Sequence, residues 1–371
     1  ADSTLTRGEE TTVIPAGTGV SEAELFGESA AERVRICPND PGGEFTFLKE
    51  DGTQASLGYR GNFEVCRMPG GYAVVNELPL EEYLCAVVPG EMPQSFEMEA
   101  LKAQAVCARS YACIQMENSR YPEFGAHVDD SVNDQVYNTK PRDEKTTAAV
   151  MDTAGLVILY QGKPAQAYYF STSAGITGNG DAWHLDTDGS GGYLKSVRVN
   201  KTAEPSDFSS DESFLAFLTR PQEQDYEAGC PYYRWDAACD FSSDDVQKKI
   251  KKILKTRKTK TPEEITWYKK NGKETSKMKK FGRLLTMHVL KRSSSGVILQ
   301  LQIDYENGTA VAGGEYTIRC IFGAGLENLQ LQDQSVRQTE LLPSAYCCIT
   351  SWQDGICTLR GGGYGHGIGM S

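Results

Sequence analysis

The chain has 371 residues, 24% of them charged and 39% hydrophobic, with a formal net charge of -12. This is ordinary globular composition, enough for two packed units or one core with a large insertion. The acidic balance argues against electrostatic binding of nucleic acid by the chain as a whole, and no apolar run approaches the roughly 18 residues of a membrane-spanning helix.

Residues 1–30 are polar, acidic and rich in Gly and Ala, and read as a flexible leader. Ala1-Asp2-Ser3-Thr4 has no signal-peptide character, so a trimmed or mature form is expected, with an anchor or signal lost from the front as an open alternative. From 34 to 75 short strands alternate with Gly-rich turns such as Asp51-Gly52 and Pro69-Gly70-Gly71. Residues 80–88 have helical composition and stop at Pro89-Gly90. A second helix is expected after Ser95 as N-cap, with Met98, Leu101, Ala105, Ala108 and Ala112 on one apolar face. Strands follow at 155–160 and 165–170. After them come the turn Ser171-Thr172-Ser173-Ala174-Gly175, a Gly-rich loop to Asp188 and a strand at 191–200.

Residues 205–283 differ in composition and read as a satellite insertion. It holds helices at 212–218 and 244–254 and a basic run that includes Lys248, Lys249, Lys251, Lys252, Lys255, Arg257, Lys258 and Lys260. That run is either a solvated helix face or an electrostatic patch for an anionic polymer or a membrane surface. Strands resume at 286–291, 297–303 and 315–321, and the chain closes on a Gly-rich tail from Gly361 to Ser371. The pattern predicts an α+β fold with antiparallel sheets around a central helical pair, its core formed by 31–204 and 284–371.

Between the two helices lies Val88-Pro89-Gly90-Glu91-Met92-Pro93, a loop restricted by two prolines that should fix one carboxylate near a helix N-terminus. A general acid must hold its proton near neutral pH, and partial desolvation beside Val87, Val88 and Met92 favours that form. An ordinary helix-end acid is the competing reading. Arg109, at the edge of the next helix's apolar face, is either a fixed hydrogen-bonding group or a surface arginine.

The four histidines, His127, His184, His288 and His366, have no zinc-protease spacing, and no G-x-S-x-G is present. His366 sits among glycines that let backbone approach a ligand, but no βαβ unit follows them to bind a dinucleotide. The eleven cysteines include no C-x-x-C pair. Those inside apolar runs, such as Cys85 and Cys107, read as small buried hydrophobes. Cys230 and Cys239 flank a Tyr/Trp segment that would bridge in an oxidising compartment and otherwise stay reduced.

Several blocks together resemble the stage II sporulation protein D family. They are Val75-Asn76-Glu77-Leu78-Pro79-Leu80-Glu81-Glu82-Tyr83-Leu84, Val88-Pro89-Gly90-Glu91-Met92-Pro93, the helix from Glu99 through Arg109 to Tyr111, and Asp134-Gln135-Val136-Tyr137. Further matches are Phe170-Ser171-Thr172-Ser173-Ala174-Gly175, Tyr193-Leu194-Lys195-Ser196-Val197, Pro231-Tyr232-Tyr233-Arg234-Trp235 and Gly365-His366-Gly367-Ile368-Gly369-Met370-Ser371. The resemblance implies a lytic transglycosylase that cuts peptide-stripped peptidoglycan glycan between N-acetylmuramic acid and N-acetylglucosamine and leaves a 1,6-anhydro end. It implies Glu91 as catalytic acid/base, and Arg109, Tyr193, Lys195, Ser171, Ser173 and His366 as substrate-binding residues.

Some relatives carry a Cys/His zinc site before the Q-x-Y motif. Residues 128–134 hold no cysteine, so no metal and no cofactor are expected. The implied partners are glycan strands and stage II sporulation proteins P and M during engulfment. The implied location is extracytoplasmic, facing the wall, with a membrane anchor in the full-length form. Relatives also include amidase enhancers, so a non-catalytic amidase-binding or wall-binding protein is the alternative. A carbohydrate-binding protein using Tyr232, Tyr233 and Trp235 is a third.

One carboxylate is chemically sufficient for the implied reaction. An ordinary glycosidase needs two, the second serving as nucleophile or activating water. Here the sugar's own 6-hydroxyl attacks, already tethered at high effective molarity.

Overall fold

The computed structural model describes residues 1–27, 32–183, 185, 192–202, 206–220, 223–277 and 282–371. The chain divides into two compact units, Ala1–Tyr168 and Tyr169–Ser371. Helices and antiparallel sheets make up both, as an α+β fold requires.

The first unit opens with β1 (Ser3–Arg7), β2 (Glu10–Ile14), α1 (Glu22–Phe26), β3 (Arg33–Pro38), β4 (Asn62–Met68) and β5 (Gly71–Glu77). The strands form one antiparallel sheet in the order β2-β1-β3-β4-β5. Residues 1–27 are therefore built into the sheet and are not the flexible leader their composition suggests. The reason is local: Leu5 and Phe26 join Val34 and Val65 in a small core, with Ile14, Leu25 and Ile36 against it. Each such side chain contributes about 1.5–3 kcal/mol on burial. A capping box between Ser21 and Glu24 starts α1. The expected strand around Phe45 is reduced to isolated bridges, Phe45 with Tyr59 and Leu48 with Gln54.

Three mutually packed helices follow: α2 (Leu80–Glu91), α3 (Met98–Glu117) and α4 (Glu144–Asp152). Leu84 to Val88 are all buried, so α2 is enclosed on every side through its middle. The N-cap of α3 is Glu97 and makes no side-chain cap, so Ser95 does not start this helix. Asp143 caps α4, its carboxylate accepting from the Lys145 and Thr146 amides at 2.9 and 3.1 Å. The unit ends in a short ribbon of β6 (Leu159–Tyr160) and β7 (Lys163–Pro164). β6 keeps two residues of the strand expected at 155–160, β7 lies between the two expected strands, and of 165–170 only Tyr169 pairs, in an isolated bridge with Met370.

The second unit contains α5 (Asp211–Thr219), β8 (Trp235–Asp240), α6 (Asp244–Lys260), β9 (Ile265–Lys269), β10 (Glu274–Thr275), β11 (Leu284–Arg292), β12 (Ile298–Tyr305) and β13 (Gly308–Gly313). It continues with α7 (Glu315–Gly323), β14 (Leu326–Leu331), β15 (Val336–Arg337), β16 (Cys347–Gln353) and β17 (Ile356–Gly361). Two five-stranded antiparallel sheets result, β10-β9-β13-β12-β11 and β15-β14-β8-β17-β16. Residues 205–283 are thus no satellite. β8 is the central strand of one sheet, paired with β14 and β17, and β9 pairs with β13 in the other. Trp235 on β8 is fully buried over Gly361, where an added Cβ would come within 2.3 Å of the indole. Residues 315–321, expected as a strand, form most of α7; a short apolar run does not distinguish the two by periodicity. Described residues of the expected strand 191–200 make only isolated bridges, Arg198 with Ile176 and Asn200 with Asp225. His184 and the loop at 186–191 lie outside the described residues.

Candidate active site

Glu91 is the last residue of α2. The expectation of a loop near a helix N-terminus is corrected on both points: Pro89 lies inside the helix, and the end reached is the C-terminal one. A proline there has no N–H and crowds the preceding turn. The segment 134–138 serves that turn from outside. The Asn138 amide donates to the Ala86 carbonyl at 3.0 Å, with Asn138 itself at φ 54, a conformation asparagine tolerates. The Val136 amide donates to Glu91 Oε1 at 2.7 Å. Gly90 makes this approach possible, since a Cβ there would lie 3.0 Å from Thr139 Oγ1 and 3.1 Å from the Val136 carbonyl.

The segment is itself fixed on both sides. Gln135 is fully buried; its Oε1 accepts from the Tyr83 hydroxyl of α2 at 3.1 Å and its Nε2 donates to the Ala108 carbonyl of α3 at 3.2 Å. Tyr137 stacks on Tyr83, ring centroids 5.2 Å apart, and its hydroxyl donates to Asn76 Oδ1 at 2.6 Å. Asp134 accepts from the Tyr111 hydroxyl and the Asp129 amide, both at 2.9 Å, and is paired with Arg120. Burial pushes the Tyr83 phenol far up, helped by the Asp134 and Glu91 carboxylates, so it stays a neutral donor. The half-buried Glu91 carboxyl is therefore anchored through Oε1 in a frame of buried, hydrogen-bonded groups.

Arg109 has a different place from the one expected. It is 1% exposed, and its guanidinium is taken up by Glu81 (2.9 and 2.7 Å), the Val150 and Leu156 carbonyls (3.0 and 3.2 Å) and Thr153 (3.5 Å). Glu81 and Glu91 stand ten residues apart on α2, about 15 Å along its axis. Arg109 thus clamps the start of α2 to the end of α4, away from Glu91, and its geometry is that of scaffold and not of direct substrate contact.

In the second unit the expected substrate residues divide. Ser171 and Lys195 are exposed and Tyr193 is half-buried. Ser173 is buried: its amide and hydroxyl both donate to Glu227, and its hydroxyl accepts from the Gly175 amide at 3.0 Å, so it shapes the turn from inside. His366 Nδ1 accepts from the Ile368 amide at 3.1 Å, and the ring lies 4.6 Å from Trp183 and 5.6 Å from Phe170. Burial, with Arg319 nearby, pushes its pKa down to about 4 against the pull of a hydrogen bond to the Tyr169 backbone. It is a neutral imidazole that ties down the Gly-rich tail, which is a structural use in place of the ligand contact expected. A cavity of about 660 Å³ beside Tyr268, Gln302, Asp304 and Thr309 is lined by none of these residues. All eleven cysteines are free thiols, Cys230 and Cys239 included. Among the described residues no group of three or more His, Cys, Asp or Glu side chains is placed to hold a metal ion.

Sequence reasoning matched Asp134-Gln135-Val136-Tyr137 to the family but assigned it no role. Its signal is chemical: a buried amide side chain beside an aromatic, three residues ahead of an asparagine at positive φ.

Residues 69–160 match the family described as stage II sporulation protein, SpoIID. Residues 180–369 match the one described as a domain of unknown function, DUF8618. Stage II sporulation protein D of Bacillus amyloliquefaciens is 39% identical over 138 residues, 33% of this chain and 39% of that protein. The protein of the same name from Bacillus subtilis (strain 168) is 35% identical over 156 residues, 38% of this chain and 45% of that protein. The amidase enhancer of Bacillus subtilis (strain 168) is 38% identical over 94 residues, 25% of this chain and 12% of that protein. The chain spans less than half the length of the sporulation relatives it matches. It belongs, over its second unit, to the DUF8618 family, and carries in its first unit a SpoIID domain, the part that contains Glu91 and the segment that anchors it.

Proposed function

We propose that this chain is a sporulation-associated lytic transglycosylase that cleaves peptide-stripped peptidoglycan glycan strands, with Glu91 as its acid/base. The observation that carries the reading is the 2.7 Å hydrogen bond from the Val136 amide to Glu91 Oε1, which fixes one half-buried carboxyl at a helix end. Fixed orientation is what acid/base work demands. In the reaction Glu91 gives its proton to the glycosidic oxygen as the bond from the muramyl anomeric carbon breaks. The 6-hydroxyl of the same sugar attacks that carbon and closes the 1,6-anhydro ring. The Glu91 carboxylate then takes the hydroxyl proton and is ready for another cycle. Tyr193, Lys195 and Ser171 are the second unit's accessible candidates for holding sugars. The work would be done outside the cytoplasm, on the wall side of the membrane, beside stage II sporulation proteins P and M.

A second reading, as a non-catalytic amidase enhancer, is favoured by the match to the amidase enhancer over 94 residues and by the scaffold position of Arg109. Mass spectrometry of peptide-free glycan strands separates the two. Anhydro-muramyl products from the parent and none from Glu91→Gln support the transglycosylase. Hydrated reducing ends would mean a hydrolase with a second carboxylate, and no product from either protein favours the enhancer.

A further inference from the structure

Charge is strongly segregated along this chain. Residues 246–277 hold twelve Lys and Arg against three Glu, a net of +9, so the total of -12 leaves -21 on the rest. Most of the excess lies on α6, where Lys248 pairs with Asp245 at 2.9 Å and the fold sorts the other seven cations into two sets. Lys251 donates to the Gly282 carbonyl at 2.9 Å, Arg257 grips Glu264 through two hydrogen bonds of 2.9 Å, and Lys258 donates to the Pro262 and Ile265 carbonyls at 2.9 and 2.6 Å. These lie beside the stripe of Gln247, Ile250 and Leu254 that buries the helix. The second set is Lys249, Lys252, Lys255 and Lys260. All four are exposed, and no ion pair or hydrogen bond joins their ammonium groups to another described residue.

On a helix turning about 100° per residue, those four fall within an arc of roughly 140° opposite the buried stripe, and they span about 16.5 Å of axis. Thr256 and Thr259 are exposed alongside them. The helix dipole rewards cations in the last turn only, so it accounts for Lys260 and not for Lys249, Lys252 or Lys255. Solubility does not call for them either, in a chain already at -12. Lys249, Lys252 and Lys255 follow one another at three-residue spacing on adjacent turns, so they act on a ligand together, and the acids of the helix, Asp244 and Asp245, lie at its N-terminal end.

We propose that this outer face of α6 is a docking surface for a linear polyanion, a polymer of repeated phosphodiesters of the kind that accompanies a cell wall. Charge complementarity selects an anion, and the rod-like row of flexible point charges suits a chain laid along the helix. A lipid surface is the weaker match. Ile250 and Leu254 are buried and Val246 and Ile253 half-buried, which leaves little apolar surface on α6 to enter a bilayer.

The test uses long-chain inorganic polyphosphate and the full chain, with binding followed by calorimetry from 50 to 200 mM salt. The parent should bind with an affinity that falls steeply with salt. Lys249→Gln, Lys252→Gln, Lys255→Gln and Lys260→Gln combined should lose at least tenfold at the lowest salt and flatten the log–log salt slope by about 3. A control with the same charge change, Lys49→Gln, Lys140→Gln, Lys163→Gln and Lys201→Gln, also all exposed, should keep most of the affinity. Glu91→Gln should bind as the parent does, which keeps this test independent of the glycan chemistry. The proposal is overturned if the parent ignores polyphosphate at 50 mM salt, if the control loses as much as the α6 variant, or if phosphatidylglycerol vesicles are bound and polyphosphate is not.

Discussion

Glu91 lies in the part that matches SpoIID and His366 in the part that matches DUF8618; both are held by a backbone amide, yet the two units use them differently. The amide that fixes Glu91 comes from a segment 45 residues away, anchored independently through Gln135 and Tyr137. The His366 ring is tied to its own tail, through the Ile368 amide, and also to the Tyr169 backbone, and burial keeps it neutral. The amide on Glu91 holds a carboxyl at a helix end, whereas the bonds on His366 join the tail to the segment that bridges it at Tyr169 and Met370. Arg109 and Ser173 are likewise held by distant residues, Glu81 and Glu227, but both are buried, with their polar atoms taken up in the interior.

The contrast is open to direct attack. Glu91→Gln should show the largest effect, a loss of glycan cleavage on the order of 10³-fold with little change in folding, read from product mass spectra and a thermal melt. Retained cleavage would remove Glu91 from the chemistry. Arg109→Ala should cost about 3 kcal/mol in urea unfolding, the low end for a broken buried ion pair because Glu81 is partly exposed. If Arg109 instead touches substrate, KM would rise while the unfolding midpoint stayed put.

His366 makes a pH prediction. Its folded pKa of about 4 lies below the unfolded value near 6.5. Between those values the unfolded chain binds a proton that the folded chain refuses. Stability should therefore fall as pH drops from about 6.5 to 4, by about 2–3 kcal/mol, and His366→Gln should flatten that window in acid titrations of the unfolding midpoint. The smallest effect is expected for Gly90→Ala. Alanine's better helix propensity offsets the crowding against Val136, so the melting temperature should shift little. The displaced Val136 amide should still lower kcat about tenfold. An unchanged kcat would mean that the anchor is dispensable.

The α2–α3 pair and Glu91 itself were legible because helical composition, proline punctuation and a long matched block coincide there. What misled was Pro89-Gly90, which reads as a stop but lies inside the helix, with Asn138 supplying an outside donor to the Ala86 carbonyl of the preceding turn. The role of Gln135 could not be read at all, since its partners Tyr83 and Ala108 are distant in sequence. The same blindness explains residues 205–283. A basic, lysine-rich stretch looks like an appendage until β8 is seen between β14 and β17, strands roughly a hundred residues further on. At the front of the chain, a hairpin of mostly polar residues is held in its sheet by little more than Leu5, too sparse a pattern to stand out.

The hydrogen bond from Val136 to Glu91 also orders events in time. Closing a loop of 45 residues costs about 3 kcal/mol in chain entropy before any contact offsets it. The helices on either side can form from local contacts alone, whereas the carboxyl acquires its orientation only once the chain has returned to it. During folding, or in a chain shortened before residue 134, α2 would carry an unaimed glutamate. The glutamate of the proposed glycan chemistry would thereby stay unaimed until the first unit is complete.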